Sequence, residues 1–127
     1  MYPSDLQYSK EHEWARVEGN VAVVGVTQYA QDSLGDVVFI DLPDVGSEIE
    51  QFSKVGEIES VKAVSDLFSP VGGKVVEVNR SAVDDPEIVN NEPYGAGWLI
   101  KVELSDQSQL DGLMDAQAYQ ALLDEST

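Results

Sequence analysis

Apolar and polar residues alternate in short runs along most of the chain, and Gly, Pro, Asn or Asp interrupts each run. Residues 14–17 and 21–26 carry a strand pattern on either side of Gly19-Asn20, which predicts a hairpin. A strand over 36–42 is closed by Pro43, and a shorter one over 47–50 follows the Val45-Gly46 turn. Runs at 54–60 and 64–69 flank Val61-Lys62-Ala63, and further runs occupy 73–78 and 98–104. Many short strands divided by turn residues predict a sandwich or barrel. Helical spacing is rarer. Thr27 is placed to cap a helix over 28–34 with Gly35 just past its end, and Asp85-Pro86 suits the cap and first turn of a helix reaching Val89. Asp115 is placed to cap a last helix, about 115–124, with Ala118, Tyr119, Leu122 and Leu123 on the face that packs on the sheets. No linker, repeat or low-complexity run divides the chain, so one domain over 1–127 is expected.

Composition narrows the chemistry. The 127 residues are 43% hydrophobic, enough for a core without staples. Against 7 Lys+Arg stand 24 Asp+Glu, a net charge of −17. That balance argues against nucleic acid or an anionic membrane and toward partners with basic docking surfaces. There is no cysteine and one histidine, His12. Disulfides, thiolate metal sites and a protein thiol nucleophile are therefore excluded, and acid–base chemistry near neutrality has few agents. A reactive group for redox or acyl chemistry must come from outside the standard side chains. With no signal peptide or apolar span in view, a cytoplasmic protein is expected.

The stretch GEIESVKAVSDLFSPVGGKV, residues 56–75, puts Lys62 at the tip of a hairpin, and Ser69-Pro70 and Gly72-Gly73 then turn the chain back. On hairpin geometry alone two readings stand. Lys62 is a surface lysine loosely paired with Glu59 and Asp66, or it is a modification site. An ordinary lysine with a pKa of about 10.4 is a poor catalyst at neutral pH. A ligase that supplies an activated acyl group can still use it, because a tip gives access and Val61 and Ala63 leave room. Such a modification removes one positive charge and adds chemistry that a cysteine-free chain lacks.

At these residues the sequence resembles the glycine cleavage system H protein family. The resemblance rests on ESVKA at 59–63, SD at 65–66, SPVGGKVVEVN at 69–79, HEW at 12–14, GVTQYAQDSLGDVVFIDLP at 25–43 and VNNEPYGAGWLIKV at 89–102. Biotin carriers usually place Met on both sides of the lysine, and lipoyl domains of 2-oxoacid dehydrogenases usually place Asp before it; Val61 and Ala63 fit neither. The resemblance implies a mostly β, barrel-sandwich hybrid of two antiparallel sheets, with a lipoyl hairpin at about 54–79, short helices and a C-terminal helix. It implies a monomeric carrier, not an enzyme, with lipoate on Lys62. Implied partners are a pyridoxal-phosphate glycine decarboxylase that supplies an aminomethyl group, a tetrahydrofolate-dependent aminomethyltransferase and a flavin (FAD) dihydrolipoyl dehydrogenase. A lipoate ligase or lipoyl/octanoyl transferase would attach the group, and a role in relaying lipoate to other lipoyl proteins is compatible.

Glu13 and Asp66 match the family positions expected to shelter the loaded amine, since an ammonium group calls for carboxylates at a cleft edge. Both also read as ordinary acidic surface residues. Glu59, Ser60, Val61 and Ala63 are expected to shape the hairpin that the attaching enzyme recognises. Glu11 departs from the small hydroxyl residue common before HEW in the family. His12, Trp14 and Trp98 are expected to pack, and Gly35, Gly46, Gly72 and Gly73 to serve turns. An acidic enzyme with paired carboxylates and an unmodified binding module are the competing classes; a lipoyl-sized mass increment at Lys62 separates both from the carrier.

Overall fold

A computed structural model describes residues 2–126. Among the described residues nine strands form two antiparallel sheets. The larger contains β1 (Gln7–Tyr8), β2 (Glu13–Glu18), β3 (Val21–Val26), β5 (Glu48–Ile49), β8 (Gly73–Val78) and β9 (Ile100–Leu104), in the order β1-β2-β3-β9-β8-β5. The smaller contains β4 (Val37–Asp41), β6 (Lys54–Ser60) and β7 (Val64–Phe68), in the order β4-β6-β7. The helices are α1 (Gln28–Leu34), α2 (Arg80–Asp84), α3 (Glu87–Asn91) and α4 (Ala116–Ser126), with a 3-10 helix at Gln107–Gly112.

The apolar run in β3 is nearly continuous because the strand is buried on both faces. Ala22 and Val24 join Ala15, Val71, Ile100 and Val102 in one core cluster, while Val23 joins Trp14, Tyr8, Tyr119 and Leu123 on the other side. A further cluster ties the small sheet, through Ile40, Ile58 and Leu67, to Val26, Leu99, Ala82 and Val89. Each large side chain buried this fully contributes about 2 kcal/mol. Trp14 lies flat on its cross-strand partner Gly25, where an added Cβ would stand 2.6 Å from the indole. The indole Nε1 donates to Pro93 O at 2.9 Å.

The hairpin over Gly19-Asn20 and the Thr27 cap are present, with Thr27 Oγ1 accepting from Ala30 N. Asp115 caps α4 through Ala118 N at 2.8 Å. The helix braces the large sheet, with the Tyr119 and Tyr8 rings stacked 4.8 Å apart. Four expectations are corrected. Asp85 does not cap through its side chain. It closes α2, its carbonyl accepts from Ile88 N, and Pro86 begins α3 with no side-chain cap. Ala118 is exposed, while Tyr119 and Leu123 fill the buried face. The last strand starts at Ile100 because Trp98 N closes a turn onto Gly95 O, and the strand after Gly46 shrinks to Glu48–Ile49. β1, α2 and the 3-10 helix carry no periodicity long enough to mark them.

Candidate functional site

β6 and β7 pair from Lys54↔Phe68 at the base to Glu59↔Val64 below the tip, leaving Val61, Lys62 and Ala63 as the turn. Ser60 builds it. Its backbone N donates to Ala63 O at 2.8 Å, and its buried hydroxyl accepts from Lys62 N and Ala63 N at 3.3 and 3.1 Å. A serine hydroxyl suits this role because it bonds nearby backbone without needing a long side chain.

The turn between α1 and β4 braces the tip from the side. Val61 N donates to Asp36 O at 3.0 Å, and a Cβ at Gly35 would stand 3.4 Å from Lys62 Cε, so the lysine stem runs past Gly35. Gly35 itself has φ of 78°, a conformation that favours glycine. Asn90 of α3 fastens this turn. Its Nδ2 donates to Gly35 O at 2.7 Å and to Gln31 Oε1 at 2.9 Å, and its Oδ1 accepts from Val37 N at 2.9 Å.

Lys62 is exposed, and among the described residues no ion pair or hydrogen bond engages its ammonium. The reading that pairs it with Asp66 is therefore corrected. Asp66 lies opposite Glu57, and its Oδ1 is 3.2 Å from Lys54 Nζ, which also meets Glu57 Oε2 at 2.8 Å.

Glu13 is not a surface residue; it is 2% exposed. Its Oε1 accepts from Ser9 Oγ at 2.7 Å, and its carboxyl also accepts from the Phe68 amide. Burial pushes its pKa up to about 8, against the opposing pull of these two hydrogen bonds. The structure therefore brings Glu13, on β2, to the base of the β6–β7 hairpin against Phe68, which lies two residues along β7 from Asp66, but gives the two carboxylates different partners.

A cleft of about 400 Å³ lies at the same base, lined by Lys10, Glu11, Phe52, Phe68, Gly112 and Met114. Glu11 thus edges the cleft, while Glu13 is not among its lining residues. Sequence reasoning missed Phe52, Phe68 and Met114 here, since they come from three distant segments; the one local oddity, φ of 65° at Phe52, leaves no mark in the sequence. His12 packs against Tyr29 and Tyr119, its Nδ1 2.8 Å from Tyr119 Oη, and burial lowers its pKa. Trp98 is half-buried under Lys101 Nζ, 5.1 Å from the ring centre. Among the described residues no group of acidic or histidine side chains is arranged to hold a metal, and no helix is long and apolar enough to cross a membrane.

An unpaired, solvent-facing lysine fixed at the apex of a β-hairpin in a two-sheet scaffold has the accessibility that a carrier protein needs at an attachment point. The family model for the glycine cleavage H-protein matches residues 6–126. The chain is 58% identical over 123 residues to the glycine cleavage system H protein of Symbiobacterium thermophilum, covering 97% of this chain and 96% of that one. It is 60% identical over 124 residues to that of Myxococcus xanthus, covering 98% and 96%. The crystal structure of a glycine cleavage system H protein from Mycobacterium marinum superposes with a TM-score of 0.86 at 40% identity, over 94% of this chain and 97% of that one. The chain belongs to the glycine cleavage H-protein family, and is a carrier component rather than a catalyst.

Proposed function

We propose that this chain is a cytoplasmic, single-domain carrier that bears lipoate on Lys62 and shuttles an aminomethyl group within the glycine cleavage system. The observation that carries the reading is the Lys62 ammonium, exposed at a braced tip and, among the described residues, in no ion pair. When bound, the lipoyl group supplies a disulfide that takes up the aminomethyl unit and a dithiol that is afterwards reoxidised. The pyridoxal-phosphate decarboxylase, the aminomethyltransferase and the dihydrolipoyl dehydrogenase are the partners it serves, and a lipoate ligase or lipoyl/octanoyl transferase attaches the group.

The chain's own residues position and shelter. Ser60 sets the turn that aims Lys62 outward, and Val61 and Ala63 put no charge next to it in the turn. Glu59 presents a carboxylate beside the tip to a basic partner. Glu13 and Asp66 hold the amine of the carried unit at the hairpin base. Asp66 exchanges the Lys54 ammonium for the incoming one, a swap between surface pairs of similar small strength. Glu13, mostly protonated at neutral pH in its buried site, gives up its proton as a cation arrives.

Treating the purified chain with lipoate, MgATP and a lipoate ligase should add one lipoyl increment in the intact mass, mapping to Lys62 after proteolysis. An unchanged mass under conditions that lipoylate a known lipoyl protein overturns the reading.

A further inference from the structure

Exposed hydrophobic side chains such as Val17, Val45 and Val76 stand scattered over the surface, but around Lys62 they gather. Val38 is 50% exposed, Phe39 56%, Val61 69% and Val64 59%. The β4 register shifts between Val37 and Phe39, and this bulge turns two successive apolar residues to solvent while Val37 and Ile40 stay in the core. Phe39, Glu59 and Val64 are direct cross-strand partners, so they share one face of the small sheet; Asp41, Glu57 and Asp66 form the next row on that face. The result is a row beside the tip in which Phe39 and Val64 flank the Glu59 carboxylate, backed by an acidic row. An edge strand that keeps Phe39 in water invites aggregation unless a partner covers it.

Building on the lipoyl reading of Lys62, we propose that this face docks the enzyme that acylates the lysine, and that Phe39 is its anchor. That enzyme must bring a reacting carbonyl to Nζ itself, so its body has to rest on whatever surrounds Lys62. Enzymes that use the finished arm meet its far end instead. In the acylation the neutral amine attacks the carbonyl of an acyl adenylate, the amide C–N bond forms, the mixed-anhydride C–O bond breaks, AMP leaves, and the surplus proton goes to water. The complementary surface is an apolar pocket for Phe39 rimmed by Lys or Arg facing Glu59, Asp41 and Asp36.

The test follows the steady-state attachment of lipoate by a purified lipoate ligase with MgATP, varying the carrier concentration. Phe39→Ser should raise the KM for the carrier about tenfold with kcat little changed, as for loss of an interface anchor. Phe39→Leu should recover most of the loss, and Glu59→Lys should weaken attachment in a salt-dependent way. Since Phe39 is exposed, thermal melts of the variants should match the parent. If the parent is lipoylated at Lys62 but Phe39→Ser is attached with an unchanged KM, the docking proposal falls while the carrier reading survives. If attachment is unchanged and only turnover with the decarboxylase drops, the proposal is also overturned, and the face belongs to that enzyme. A parent that takes no lipoyl group at all refutes the underlying reading instead.

Discussion

Lys54 and Lys62 stand at opposite ends of one strand pair, in opposite electrostatic settings. At the base, Lys54 is held by Glu57 and Asp66 at 2.8 and 3.2 Å, and hydrogen bonds from its ammonium to these carboxylates raise its pKa. At the tip, Lys62 is flanked by Val61, Ala63 and Val64 and runs past the bare backbone of Gly35. Among the described residues Lys10 and Lys74 form no ion pair either, so what sets Lys62 apart is its place at a braced hairpin tip. The difference suits the modification proposed for Lys62 and denies it to Lys54. Apolar residues flank the amine in the turn, and the tip is fixed through its backbone, by Ser60 and Asp36, so the side chain need not be.

The harshest way to break the comparison is to exchange the lysines one at a time. Lys62→Arg should lose the lipoyl increment altogether, because a guanidinium is no acyl acceptor at any accessible pH. Lys54→Arg should be lipoylated at the parent rate and should keep its ion pairs. Intact mass after ligase treatment reads both. Incorporation into Lys62→Arg, or its loss in Lys54→Arg, would mean that the paired and unpaired lysines have been assigned the wrong way round.

The next test removes the brace. Asn90→Ala leaves Val37 N–H and Gly35 C=O without their side-chain partner and deprives the Lys62 turn of its support. Loss of such part-buried bonds costs about 2 kcal/mol, a Tm drop of about 6 °C. Lipoylation should slow beyond what the stability loss explains. Asn90→Asp keeps the acceptor for Val37 N but not the donor, and should fall between. A melt that does not move would remove Asn90 from the account.

Much of this was readable in the chain. The hairpin of residues 54–68 announces itself through two β-leaning runs three residues apart, and Lys62 is the one basic residue between them. Thr27 and Gly35 bracket α1 by local chemistry alone, so they too were legible. What stayed hidden depends on distant segments meeting. Nothing near Glu13 in sequence says that Phe68 will lie against it and that it will be almost wholly dry. Asn90 reads as a loop residue until α3 is folded beside Gly35. The Lys54–Asp66 pair requires the register of β6 on β7, and Asp66 instead looked like a neighbour of Lys62. Local rules found the elements; partner choice needed the packing.

Glu13 sharpens the contrast at the base, where one carboxylate is dry and the other wet. Its pKa is raised from 4.5 to about 8, so between those values the folded chain holds a proton that the unfolded chain has released. Stability from this group is therefore greatest below about pH 4.5 and falls as pH climbs toward 8, then levels off. Glu13→Gln keeps a neutral hydrogen-bonding side chain and removes the titration. The Tm advantage of Glu13→Gln over the parent should grow steadily from pH 5 to 8 and level off by pH 9. A constant difference across that range would show that Glu13 is ionised throughout, and with it the idea that an arriving cation draws off its proton would fail.

The smallest effect belongs to the pair that looks strongest on paper. Lys54→Met deletes both base contacts yet should move Tm by no more than about 2 °C, because all three groups are close to half exposed and water replaces what the ion pairs supplied. Added salt should shrink even that difference, as it screens the parent's pairs and leaves the variant untouched. The informative readout is elsewhere. Freed of Lys54, Asp66 is open to another ammonium, so the loaded form of Lys54→Met should release its amine more slowly than the parent if Asp66 holds it. Equal release rates would leave Asp66 as a surface carboxylate whose only business is with the base of the hairpin.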